Sequence, residues 1–189
     1  TEEFLNENLF ENPVEKAAVF YMRRECGDCK YCLPHFMLPY GKDNQLKTKV
    51  WLYDLQDLYA NSKEDQYPLI KAKYHLTEES DVNYGYITGV VPTTQYWENG
   101  QLIDASVYFN DTIVKQDNKY VIQDSYYTEE RASKLHYIEN VETKILKGLE
   151  LDENNVEYYE EYDYCAWNQI DAAKYHDTFL KAFYDYYLK

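Results

Sequence analysis

The chain has 189 residues with 34 Asp and Glu against 19 Lys and Arg, a formal net charge of −15, and is long enough for one good core with insertions. That acidic balance argues against nucleic acid, whose phosphates need a basic face, and equally against an anionic membrane surface. No apolar run approaches the ~20 residues of a membrane helix, so no intrinsic membrane span is expected. No signal peptide opens the chain, yet it begins with Thr. A processed or trimmed N-terminus is therefore expected, and with it an extracytoplasmic location, secreted or membrane-anchored through the missing segment, with the cytoplasm left open. The 23 Tyr residues are read as core and surface packing rather than carbohydrate platforms.

In chain order, residues 2–11 form a short acidic amphipathic segment ending before Pro13. The apolar run to Met22 predicts a strand over 15–22, and a helix is expected over 27–39. Val50-Trp51-Leu52-Tyr53-Asp54 predicts a second strand. Residues 55–76 exceed an ordinary connection and hold a helical insertion starting at Ser62-Lys63-Glu64-Asp65. A short helix is expected over 78–84. Residues 93–98 and 101–109 read as a hairpin across Asn99-Gly100, the strongest short-range hairpin signal. Ile113-Val114 and Tyr120-Val121-Ile122 predict another hairpin around Asp117-Asn118.

Residues 128–147 carry acids Glu129 and Glu130 at the start, Leu135, Ile138, Val141 and Ile145 on one stripe, and Gly148 as a stop, the pattern of a helix. An acidic loop is expected over 152–163. Asp152-Glu153-Asn154-Asn155 lacks the alternation and central Gly of a calcium loop, so it is read as solvated. Residues 169–188 read as an aromatic amphipathic helix that packs on the domain.

The chemistry centres on Cys26-Gly27-Asp28-Cys29 at a strand-to-helix junction. Two thiols so spaced can close a tight disulfide, and the helix start sets unsatisfied N–H groups and a positive dipole end beside the first sulfur. That favours the thiolate, the nucleophile of thiol–disulfide exchange. Arg23, Arg24 and Lys30 push the same way, whereas Glu25, Asp28 and the net charge oppose them, which leaves redox direction open.

The same spacing also builds zinc and iron–sulfur sites, and Cys32 extends it to a three-Cys run. Phe36 stands where a fourth Cys would, and no metal is expected. Cys32 and Cys165 are read either as two buried thiols or as a structural disulfide. His35 lies about 13 Å from Cys26 along a helix, too far for a dyad. His75, His136 and His176 show no pairing with a nucleophile.

Residues 84–100 add a second motif: Val91-Pro92-Thr93 enters a β-rich run closed by Asn99-Gly100. Together with Pro34, five residues after Cys29, these motifs resemble the thioredoxin superfamily over roughly residues 14–109. The resemblance implies an α/β, thioredoxin-like fold, a central mixed sheet flanked by helices. Residues 1–189 are then a single domain, with a core of about 14–109, the helical insertion at about 55–76 and a C-terminal helical extension of about 110–189. It further implies a cis bond before Pro92, facing the dithiol, with Val91 and Pro92 in the substrate contact.

On this resemblance Cys26 and Cys29 are the catalytic pair, Cys26 attacking and Cys29 resolving. No cofactor beyond the dithiol is implied, and the partners are protein or peptide disulfides and dithiols. Two departures bear on activity. Reducing members carry a Trp just before the first Cys and a buried Asp six residues upstream, where this chain has Glu25 and Phe20. Asp28 either substitutes for the missing acid or is an exposed carboxylate; with Glu25 and Lys30 it is a candidate modulator. The Arg23-Arg24-Glu25-Cys26 lead-in and Phe20-Tyr21 are also similar, more loosely, to the thioredoxin-like bacteriocin-transport accessory proteins of Gram-positive bacteria. Two functions stay open: a thiol–disulfide oxidoreductase, or a thioredoxin-like binding or accessory module with little or no turnover.

Overall fold

The computed structural model describes residues 1–61, 66–76, 91–107, 180–181 and 183–189, and the strands between 112 and 167. The chain divides into two compact units, one of residues 1–108 with 183–189, the other of residues 109–182.

In the first unit β1 (Lys16–Met22) is buried along all but its first residue, as a strand covered on both faces must be. It lies inside a four-stranded mixed sheet ordered β2-β1-β3-β4. Strand β2 (Val50–Asp54) pairs parallel to β1, while β3 (Thr93–Glu98) runs antiparallel to β1 and to β4 (Gln101–Val107). Asn99 and Gly100 join β3 to β4 with φ of 48° and 81°, the two positive φ values that a tight hairpin turn demands. Gly100 has a second reason to be glycine: a Cβ there would lie 2.7 Å from the Leu9 carbonyl oxygen.

Register sorts the side chains. Ala17 pairs with Trp97, Val19 with Gln95 and Tyr21 with Thr93, so these residues share one face and Ala18, Phe20, Thr94 and Tyr96 share the other. The first face is covered by α1 (Glu2–Asn6), its π-helical continuation Glu7–Glu11, and α5 (Gln66–Lys73). Leu5, Leu9, Val19, Tyr21, Tyr53, Leu55, Ile70, Tyr74, Leu76 and Trp97 form the core there.

The second face is covered by one long helical run, α2 (Gly27–Cys32), a π-helical stretch Leu33–Met37 and α3 (Leu38–Asp43). Pro34 lacks an N–H and would clash in a regular turn; the wider stretch accommodates it, and the run passes the expected end at 39. Residues 183–187 are helical and complete this face. The Tyr184 ring meets Phe36 at 5.6 Å and Tyr40 at 5.2 Å, and Tyr187 meets Tyr96 at 4.6 Å. Tyr40 donates to Asp185 at 2.6 Å, the Thr94 and Tyr184 hydroxyls bond at 3.0 Å, and Tyr187 donates to the buried Asp104 at 3.1 Å. Residues 183–189 thus pack on the domain, as expected of the aromatic segment 169–188, of which residues 169–179 and 182 lie outside the described residues.

The connection after β2 holds α4 (Gln56–Ala60) as well as α5, so helix begins earlier than Ser62. The expected start at 62–65 and the helices over 78–84 and 128–147 lie outside the described residues.

In the second unit residues 180–181 are helical, and five strands form an antiparallel sheet ordered β7-β6-β5-β9-β8, so the extension expected to be helical over about 110–189 carries a sheet. The strands are β5 (Thr112–Gln116), β6 (Lys119–Asp124), β7 (Glu150–Leu151), β8 (Val156–Tyr159) and β9 (Tyr164–Trp167). The hairpin expected around Asp117-Asn118 is β5–β6. The acidic loop over 152–163 is a correction: Val156–Tyr159 pairs with β9 because Val156, Tyr158 and Tyr159 suit a strand despite Glu157 and the flanking acids.

Candidate functional site

Strand β1 ends at Met22, and residues 23–26 turn the chain into α2. Leu55 N–H bonds back to the Met22 carbonyl at 2.8 Å, and Cys26 N–H to the Arg23 carbonyl at 3.0 Å. Neighbouring side chains hold this turn. Arg24 pairs with Asp54 at 3.0 Å and with Asp57, while Gln56 Oε1 accepts from the Glu25 N–H at 3.3 Å. Cys26 caps α2 from an extended conformation, φ −74° and ψ 132°, and its carbonyl accepts from Lys30 N–H at 3.0 Å.

The two cysteines are free thiols with different surroundings: Cys26 is half-buried and Cys29 fully buried. Cys29 Sγ accepts from the Arg23 N–H at 3.4 Å. The Cys26 pKa is brought down to about 5, first by a hydrogen bond from the Cys29 thiol, against the cost of burial, then by the N–H groups of Cys29 and Asp28 and the charge of Arg23. Cys29 moves the other way, upward, because it is the donor in that bond and is buried. One thiol is prepared to be a thiolate at neutral pH and the other to keep its proton.

Opposite the pair, Cys26 Sγ lies 3.6 Å from the Val91 carbonyl oxygen, and the Val91–Pro92 peptide is cis. Pro92 is buried and Val91 half-buried. The four residues Cys26, Cys29, Val91 and Pro92, drawn from motifs some sixty positions apart in sequence, therefore meet at one place.

The three candidate modulators separate. Asp28 is half-buried rather than exposed, and burial followed by the nearby Cys26 raises its carboxyl to about 6. Glu25 and Lys30 are exposed and paired with each other at 2.8 Å, which lowers the Glu25 pKa. Of the cations expected to favour the thiolate, Arg24 and Lys30 are occupied by carboxylates, and Arg23 is the one whose charge acts on Cys26.

Two further aromatic residues belong to the site. The Arg23 guanidinium carbon lies 3.9 Å from the centre of the Tyr59 ring, and Tyr59 meets Tyr67 edge-on at 5.5 Å. The Tyr67 hydroxyl is raised mainly by burial, and both cysteines act on it. Nothing in the spacing of Tyr59 and Tyr67 signals this arrangement; only the fold brings α4 and α5 beside the dithiol.

Cys32 is buried near the Tyr184 hydroxyl, and the side chain of Cys165, in β9, lies outside the described residues. Among the described residues no group of three His, Cys, Asp or Glu is arranged to hold a metal ion, and no helix is long and apolar enough to cross a membrane. No protein-family model matches the sequence, and no curated protein matches it.

Proposed function

We propose that this chain carries a thioredoxin-like α/β domain that exchanges electrons with protein or peptide disulfides through Cys26 and Cys29. The observation that carries the reading is the asymmetric thiol pair at a helix start, with the Val91 carbonyl 3.6 Å from Cys26. A half-buried low-pKa sulfur is an attacking group; a buried high-pKa sulfur beside it is a resolving group. A substrate chain in extended conformation could add its backbone along Val91, by the same hydrogen bonds that extend a sheet edge.

In the reducing direction the Cys26 thiolate attacks one sulfur of a substrate disulfide. A Cys26–substrate disulfide forms and the other substrate sulfur leaves as a thiolate. The thiolate to which Cys29 donated is then gone, which removes the largest influence holding its proton. Cys29 gives that proton to solvent and attacks Cys26 Sγ. The Cys26–Cys29 disulfide closes, the second substrate thiolate leaves, and two electrons have passed to the substrate. Oxidation of a substrate is the same sequence reversed, and no cofactor enters either direction.

The test is exchange with a model protein disulfide. Cys26→Ser should abolish it, Cys29→Ser should accumulate a mixed disulfide through Cys26, and Cys32→Ser should leave the rate nearly unchanged. Alkylation of the reduced protein should rise with pH through about 5 at Cys26, well below the usual thiol range of about 8.5. Exchange no faster than that of a small dithiol at equal concentration would favour the accessory-module reading. Phe20 in place of a buried acid supports that rival.

A further inference from the structure

We infer that Arg23 is a positioning residue for Cys26, and that Tyr59 holds its guanidinium in place. The inference rests on Cys26 being the attacking thiol. Arg23 touches the dithiol twice through its backbone, its N–H donating to Cys29 Sγ at 3.4 Å and its carbonyl accepting from the Cys26 N–H at 3.0 Å. Its side chain then turns across the Tyr59 ring, 3.9 Å from the ring centre, with Tyr67 edge-on behind at 5.5 Å.

The arrangement is unusual in what it leaves out. Among the described residues two buried polar side-chain atoms have no hydrogen-bond partner, and one of them is Arg23 Nε. The adjacent Arg24 is saturated with carboxylates from Asp54 and Asp57. A buried guanidinium nitrogen without an acceptor is costly. A cation over an aromatic face contributes about 0.5–2 kcal/mol depending on desolvation, which offsets part of that cost while leaving the charge unneutralised. Tyr59 is 51 % exposed, so the platform is not simply core.

The groups acting on Cys26 within the described residues come from several elements: Arg23 before α2, Asp28 and Cys29 within it, Tyr67 on α5 and the Val91 carbonyl opposite. Arg23 is the cation in that set. A carboxylate partner would cancel its charge; an aromatic ring pins it without doing so. Stabilising the thiolate stabilises the reduced form of the pair, which makes the dithiol the more oxidising.

The experiment titrates the thiolate absorbance of the reduced protein in wild type and in Arg23→Gln, Tyr59→Leu and Tyr59→Phe. Arg23→Gln should raise the Cys26 pKa by about 0.5–1 pH unit, at or below the lower limit of the roughly 1–3 units that an adjacent opposite charge achieves. Tyr59→Leu should raise it by less, and Tyr59→Phe, which keeps the ring face, should leave it in place. In Arg23→Gln, Tyr59→Leu should have no further effect, because Tyr59 acts through the guanidinium. Equilibration with glutathione should show Arg23→Gln three- to tenfold less oxidising, about 15–30 mV for a two-electron couple. Folded Arg23→Gln and Tyr59→Leu proteins with the wild-type titration would overturn the inference. If Tyr59→Leu does not fold, Arg23→Gln and Tyr59→Phe still decide it. A wild-type Cys26 titrating in the ordinary thiol range would instead overturn the oxidoreductase reading beneath it.

Discussion

On one face of the four-stranded sheet Leu5, Leu9, Ile70, Leu76 and Trp97 pack against β1 around one buried amide, Gln95, which donates to the Tyr74 carbonyl at 2.7 Å and accepts from the Trp97 indole at 3.2 Å, while on the other the closing segment is fastened by tyrosine hydroxyls. Tyr40, Tyr184 and Tyr187 each bond a named partner on that second face: Asp185, Thr94 and Asp104. The hydroxyl face contributes direction, since each bond fixes where residues 183–189 sit on the sheet. The dithiol helix lies on this second, positionally defined face.

Removing volume from the apolar face should cost most. Trp97→Ala should destabilise by about 3–5 kcal/mol, read from urea unfolding as a lower midpoint at unchanged slope. A loss under about 1 kcal/mol would mean that this face is loosely packed and the contrast is false.

Next comes the hairpin tip, where β3 and β4 approach the N-terminal segment. Gly100→Ala meets both a φ of 81° and the Leu9 carbonyl. It should cost about 1–2 kcal/mol for the conformation, and more if Leu9 cannot shift.

The sharpest comparison uses one substitution on both faces. Tyr184→Phe leaves the buried Thr94 hydroxyl without its bond and should destabilise by about 1–3 kcal/mol, most of it recovered by adding Thr94→Val. Tyr21 is fully buried and its hydroxyl has no partner among the described residues. Tyr21→Phe should therefore be neutral or stabilise, by up to about 1 kcal/mol. Equal signs in thermal unfolding would erase the distinction between the faces. Smallest of all, Lys30→Gln should leave both the melting temperature and the Cys26 titration where they are, since Lys30 is exposed and already paired with Glu25.

Much of the first unit was legible in the residues. The apolar run before Cys26 and the Val50–Asp54 run each gave a strand within a residue of its bounds, and Asn99-Gly100 fixed the β3–β4 hairpin because few residues accept two positive φ values in succession. Cys26 and Cys29 could be named from their spacing, and Val91 and Pro92 from the resemblance to the thioredoxin superfamily. What escaped was everything set by tertiary neighbours. Asp28 looked exposed because one sequence does not reveal which carboxylate the helix start buries. The Arg23–Tyr59 stack escaped because residues 36 positions apart carry no local pattern. Val156–Tyr159 was hidden by its acids, since strand pairing with β9 outweighs local charge.

The hydroxyl face also imposes an order of assembly. Its fastening bonds join residues 145, 90 and 83 positions apart, so the sheet and dithiol helix leave the ribosome long before the segment that covers them. All of residues 109–182 must be synthesised in between. Contacts this distant in sequence slow folding, and until they form, Phe36 and Tyr96 stand uncovered, a surface on which a nascent chain aggregates or is held by a chaperone. Vectorial synthesis thus makes the last turn of helix the step that seals the side of the sheet on which Cys26 sits.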